Sequence, residues 1–207
     1  MKHYGDVCKI NGAEIEKVDV ITFGAPCQDL SVAGKRKGML HEGMGDEETT
    51  RSGLFFEAVR IIKEMRNDDL RSGRPVEFCR PRWAIYENVP GAFSSNGGKD
   101  FQAVLTELVR IAKADAPDVP LPDRGGWSKA GCLMGYGDHG QPFSISWRLH
   151  DAQFWGATLY TDDGMLLEQG TPQRRKRVAV VADFGGRCAP EVLFVRKGSY
   201  WDSSESN

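Results

Sequence analysis

Val18-Asp19-Val20-Ile21-Thr22-Phe23-Gly24-Ala25-Pro26-Cys27-Gln28 is a short β-branched and aromatic run that stops at Gly-Ala-Pro and delivers a cysteine onto the segment beyond. Side chains of this kind suit a pleated, buried surface, while Gly and Pro end it, so a strand stopping just before Cys27 is expected. A second stretch repeats the plan, with Trp83-Ala84-Ile85-Tyr86 leading directly into Glu87-Asn88-Val89-Pro90-Gly91. Between the two, Leu54, Phe55, Ala58, Val59, Ile61 and Ile62 recur at helical spacing up to about Met65, and Ser52 is placed to cap that helix. Beyond the second strand, Asp100 can cap a helix whose apolar positions Phe101, Val104, Leu105, Leu108, Val109 and Ala112 share one face.

Strands alternating with amphipathic helices predict an α/β domain built on a doubly wound, mostly parallel sheet. In such sheets the working residues lie at the carboxyl ends of the strands, so Cys27 and Glu87 are expected over one edge. Further along, Gly125 to Gly140 is glycine-rich and carries no clear element. Ser144-Ile145-Ser146-Trp147-Arg148-Leu149 alternates as a strand does, and Val178-Ala179-Val180-Val181-Ala182 forms a last apolar run.

The chain has 207 residues, enough for one domain with a substantial core, and a formal net charge of -2. That balance excludes a simple basic nucleic-acid glue, so any DNA contact depends on local clusters such as Lys35-Arg36-Lys37 and Arg174-Arg175-Lys176-Arg177. No apolar run approaches the roughly 20 residues that span a bilayer, and the first residues lack a secretory pattern, which makes a cytoplasmic protein the expectation. The five cysteines, at 8, 27, 79, 132 and 188, are widely spaced and odd in number, so neither a metal site nor a disulfide framework is signalled.

Taken singly, a cysteine after a strand is most often a small buried hydrophobe, a Glu-Asn pair a capping group, and a basic run a solvated surface. Together, in this order and each beside a strand, they point to chemistry. Cys27 is followed by Gln28-Asp29-Leu30-Ser31-Val32-Ala33-Gly34-Lys35-Arg36-Lys37-Gly38, a glycine-containing basic segment whose charge favours a thiolate. A cysteine hydrolase using His41 or His150 is a much weaker reading, since neither histidine has a supporting signature.

Gly24 to Gly38 around Pro26-Cys27-Gln28, then Glu87-Asn88-Val89, then Gln173 to Arg177 followed by Val178-Ala179-Val180-Val181, resemble three motifs of the DNA cytosine-C5 methyltransferases, bacterial and phage members in particular. Ser52-Gly53-Leu54-Phe55-Phe56-Glu57 is similar to the family's helix start at the cofactor, and Gly5-Asp6-Val7 to its adenine-side aspartate segment. The resemblance implies a Rossmann-like fold and S-adenosylmethionine as methyl donor, with Asp6, Pro26 and Leu54 on the cofactor side. It implies Cys27 as the nucleophile that adds to C6 of cytosine, Glu87 as the group at N3, and Arg175 and Arg177 as the side chains that hold the ring. The substrate is then double-stranded DNA with its cytosine flipped out, contacted by Gln28, Ser31 and Gln173, with Lys35, Arg36 and Lys37 as phosphate partners.

The likeness runs from about Asp6 to Phe184, so residues 1–184 read as a partial catalytic domain and 185–207 as a tail or the start of a target recognition region. Family members begin with a strand and a glycine-rich turn for the cofactor, and no such segment stands upstream of Asp6, so the first βαβ unit is expected to be missing. The segment 157–169 reads as additional to the family pattern. Two consequences are expected: the chain is an incomplete cytosine-C5 methyltransferase, with a non-catalytic DNA-binding remnant or one half of a split enzyme as the alternatives, and the Val18 to Phe23 strand lies at an open apolar edge that invites a complementing polypeptide or self-association. Light scattering at high protein concentration should therefore show oligomers or aggregates, and a clean monomer would count against an open edge.

Overall fold

The computed structural model describes residues 2–24, 53–123, 126–152, 157–160, 163, 166–169 and 174–194. Seven strands are seen among them: β1 (Val20–Gly24), β2 (Trp83–Asn88), β3 (Ala130–Tyr136), β4 (Pro142–Asp151), β5 (Ala157–Tyr160), β6 (Leu166–Gln169) and β7 (Lys176–Asp183). The three α-helices are α1 (Gly53–Arg71), α2 (Lys99–Ala112) and α3 (Ala189–Leu193). Five strands form one sheet in the order β1-β2-β7-β4-β3, and β5 and β6 pair with each other as a separate ribbon.

The expectation of a mostly parallel sheet is corrected here. Among the described strands only β1 and β2, joined through α1, run parallel; β2 with β7, β7 with β4 and β4 with β3 are antiparallel. The reason is connectivity. A helical crossover returns the chain to the same end of the sheet and makes neighbours parallel, whereas β3 and β4 are joined by a short turn that reverses it. What remains is a mixed α/β fold with the first predicted strand at one edge of the described sheet, where Val20 is 46 % exposed.

Alternation along the strands separates two faces. Ile21, Phe23, Ala84, Tyr86, Val178, Val180, Ile145 and Trp147 meet α1 and α2 in the main core, where Phe55, Ile62, Phe101, Leu105 and Leu108 are buried. The other face is covered among the described residues by α3, whose Ala189 and Leu193 pack on Val181. Backbone nitrogen of Ala189 donates to Ser144 Oγ at 3.2 Å, so packed structure continues past Phe184.

Three local expectations change for identifiable reasons. α1 runs on past Met65 to Arg71 because two polar residues beyond the apolar stripe are buried and engaged. Arg66 donates to the carbonyls of Cys79 and Pro81 at 2.5 and 2.8 Å, and Asp69 accepts from Arg80 at 2.9 and 3.0 Å. Asp100 is not the cap of α2. Gly98, at φ 86°, holds that position, and Asp100 sits buried in the first turn bonded by Ser95 Oγ. The glycine-rich 125–140 stretch contains β3, since Gly131 and Gly135 lie opposite Trp147 and Phe143, and a β-carbon at Gly131 would stand 2.1 Å from the indole. The missing side chains make room for the neighbouring rings.

The end of the sheet away from Glu87 is locked by ion pairs. Arg82 forks onto the fully buried Asp183 at 2.8 and 3.0 Å, and Arg80 binds Asp69, whose side chain is 6 % exposed. Hydrogen bonds from Arg80 hold the Asp69 carboxyl below the ordinary range. A depressed folded-state pKa contributes stability that is present above the unfolded value of about 4 and is lost as pH falls through the folded value. Asp69→Asn should therefore cost about 1–3 kcal/mol in urea unfolding at pH 7, and the gap from the unmodified protein should close in strong acid.

Candidate active site

β2 is the strand on which the site is built. Its register sets Glu87 opposite Gly24 of β1 on one side and opposite Ala179 of β7 on the other. Because side chains alternate, Tyr86 and Asn88 enter the helix-covered face and Glu87 projects to the other, more open one. Glu87 belongs to the strand itself, where the sequence placed it just beyond. Gly24 is tightly placed: a β-carbon there would lie 3.3 Å from the Glu87 carbonyl oxygen and 3.5 Å from Oε2.

Arg177 reaches the same place from β7. Its Nε stands 2.6 Å from Glu87 Oε1, with the carboxylate side chain 53 % and the guanidinium side chain 32 % exposed. A pair this open contributes little stability, because water competes for both partners. Arg177 also donates through Nη1 to the Lys176 carbonyl at 2.8 Å. The residue beside Glu87 on β7, Ala179, is small, and on its far side β4 presents Arg148, with His150 opposite Arg177. Glu87, Arg177, Arg148 and His150 thus surround a small-residue floor on one face of the sheet.

Two thiols are held above the ordinary range. Burial raises Cys79, and desolvation, followed by the charges of Asp6 and Glu57, raises the exposed Cys8. His150 is shifted down by burial and then by Arg148. A cysteine hydrolase must form an imidazolium beside its nucleophile, and the cationic neighbours of His150 oppose that state.

Asp6, expected from the resemblance to face the cofactor, caps a 3-10 turn (Val7–Lys9), its Oδ1 accepting from Cys8 N at 3.0 Å. Arg60 of α1 fastens that turn by donating to the carbonyls of Val7 and Ile10 at 3.2 and 2.7 Å. Leu54, in the first turn of α1, is 38 % exposed. The N-terminal segment is therefore docked along α1, bringing an exposed carboxylate and an exposed apolar side chain to the same helix.

Of the residues expected to act, Glu87 and Arg177 are brought together, Arg175 lies exposed two residues before Arg177, and Asp6 and Leu54 are both carried on or against α1. Pro26, Cys27, Gln28, Ser31, Lys35, Arg36, Lys37 and Gln173 lie outside the described residues, as do Ser52 and His41. Sequence reading missed Arg148. The signal was present, since Arg148 follows Trp147 in an alternating strand, but the partner strand needed to place it could not be read.

A family model described as C-5 cytosine-specific DNA methylase matches residues 1–111. Among curated relatives, a DNA N-6-adenine-methyltransferase of Escherichia phage P1 is 29 % identical over 92 % of this chain and 23 % of its own length. Type II methyltransferase M.BsuFI of Bacillus subtilis is 30 % identical over 59 % of this chain and 26 % of its own. Type II methyltransferase M.NgoBV of Neisseria gonorrhoeae is 36 % identical over 92 % of this chain and 31 % of its own. The chain thus spans about a quarter to a third of the length of these three relatives. With the family model covering more than half of the chain, this chain belongs to the C-5 cytosine-specific DNA methylases.

Proposed function

We propose that this chain provides the base-holding part of a DNA cytosine-C5 methyltransferase, acting on a cytosine flipped out of duplex DNA. The observation that carries this reading is the Glu87–Arg177 pair at 2.6 Å on the open face of the sheet. Cytosine presents O2 and N3 as adjacent atoms on one edge. A guanidinium and a carboxyl held side by side match that edge, Arg177 donating to O2 and Glu87, in its acid form, donating to N3.

Cytosine C5 is too weak a nucleophile to take a methyl group directly. Addition of the Cys27 thiolate to C6 forms the S–C6 bond and sends the ring's electron pair to C5, with a proton or hydrogen bond from Glu87 at N3 absorbing the charge. C5 then accepts the methyl group; a base removes the C5 proton, the S–C6 bond breaks, and the thiolate is regenerated. S-adenosylmethionine, when bound, supplies that methyl group. The exposed Asp6 carboxylate and Leu54 side chain on α1 fit a cofactor that has both a polar ribose–adenine part and an apolar ring face, and Pro26 joins them by resemblance. Gln28, Ser31, Lys35, Arg36, Lys37 and Gln173 are assigned to DNA, and Arg175 to the network around the ring.

The phage P1 relative is named as an adenine-N6 methyltransferase, but the matched stretch is 23 % of that protein. An exocyclic amine attacks a methyl donor without a covalent nucleophile, so Cys27 and the Glu87–Arg177 pair would be idle in that reaction. A second reading rests on the position of β1 at the edge of the described sheet. It makes the chain one half of a split enzyme, completed by another polypeptide or a second copy along that edge. Either form works where DNA is, in the cytoplasm of a bacterial or phage-infected cell.

Incubation with duplex DNA containing 5-fluorocytosine and S-adenosylmethionine should give a denaturant-resistant adduct that Cys27→Ala abolishes. Glu87→Gln should slow adduct formation by about 10²–10⁴-fold, the range general acid catalysis supplies. Arg177→Ala should slow it while DNA binding persists. Absence of an adduct from folded protein, even with an added N-terminal cofactor segment from a relative, would leave only a DNA-binding remnant.

A further inference from the structure

We propose that the Tyr86 hydroxyl is a positioning residue for Glu87, clamping the end of β2 from the face opposite the carboxylate; the inference rests on Glu87 being the group that meets the base. Tyr86 and Asn88 flank Glu87 in the strand and point together into the helix-covered face. There Asn88 Nδ2 donates to Tyr86 Oη, and Asn88 Oδ1 accepts from the backbone nitrogen of Val89 at 2.7 Å. The two neighbours of Glu87 are thus tied to each other, and the chain leaving the strand is tied to one of them. With both flanking residues held, the backbone of Glu87 is fixed, and with it the direction in which its Cα–Cβ bond leaves the strand on the face that carries Arg177.

The ring that carries this hydroxyl is fully buried and shared with other site-bearing elements. Its centroid lies 5.5 Å from Phe23 and 5.5 Å from Phe55, and those two lie 5.9 Å from each other. Phe23 immediately precedes Gly24, the residue opposite Glu87, and Phe55 immediately follows Leu54. One cluster of rings therefore joins the strand that leads to Cys27, the strand that bears Glu87 and the helix start on the cofactor side. Packing alone would be served as well by phenylalanine. A hydroxyl placed among aromatic rings carries a desolvation cost, and here its bond goes to the residue that fixes the strand end.

The test uses the intact chain and a readout that does not depend on catalysis. Arg177 Nε, 2.6 Å from Glu87 Oε1, carries a proton that gives a side-chain resonance in nitrogen-15 spectra, and Glu87→Gln sets the released limit. Tyr86→Phe should speed exchange of that proton with solvent by about fivefold, the change in population that loss of one net hydrogen bond allows. Phe23→Leu, which loosens the same ring cluster without touching the hydroxyl, should lower thermal stability at least as much and leave the exchange unaltered. If Tyr86→Phe does not fold, Asn88→Ser removes the same bond from its other end. Unchanged exchange in the folded variant, or equal acceleration in Phe23→Leu, would overturn the proposal. The adduct assay on the unmodified chain decides separately whether Glu87 serves methyl transfer: accelerated exchange without any adduct would keep the clamp and discard the methyltransferase reading.

Discussion

The register of β2 between β1 and β7 is the constraint on which the rest of the molecule depends. Gly24, Glu87 and Ala179 stand in one row only because both pairings are held in step. A slip of one residue would turn Glu87 into the helix-covered core and expose Tyr86, since the side-chain period of a strand is two. Register is fixed strongly here because one face is packed with large rings and the other is not. The same asymmetry that makes a slip costly also decides which face is left for chemistry.

The two ends of the sheet are treated differently by their electrostatics. At one end Asp183 and Asp69 are buried under bidentate arginines, and Arg66 is enclosed by backbone carbonyls. Charges removed from water in this way are expensive to separate, so this end resists opening. At the other end Glu87 and Arg177 face solvent by about half and a third of their side-chain surface. That pair can exchange its mutual contact for contacts with a planar polar ligand at low cost. Buried ion pairs are concentrated at the end away from Glu87, and the solvent-facing pair stands at the other.

Much of this was legible in the sequence because the decisive signals are local. β-Branched and aromatic runs ending in Gly or Pro revealed β1 and β2, apolar spacing revealed α1 and α2, and the motif resemblance singled out Glu87 and Arg177, which the structure sets as a pair. The sheet's mixed direction was not legible, because a strand's orientation follows from its connections and pairing, which no single segment encodes. β3 was missed since its glycines exist for the rings of β4, a cross-strand cause invisible along the chain. The C-terminal extension of α1 was missed for a related reason: Arg66 and Asp69 break the apolar stripe but are satisfied by residues 76–81, brought there only by folding. Asp100 followed a sound capping rule that a left-handed Gly98 pre-empted.

β4 ends and β7 begins at the same end of the sheet, as antiparallel neighbours, with the chain between Asp151 and Lys176 containing the β5–β6 ribbon as its own small sheet. Because that excursion leaves and rejoins adjacent strands, its length can change without rethreading the sheet or altering any register on which Glu87 depends. It is thus a natural splice point beside the Glu87–Arg177 pair. Material inserted or exchanged there would change what surrounds that pair, while the strands that carry Glu87 and Arg177 keep their register.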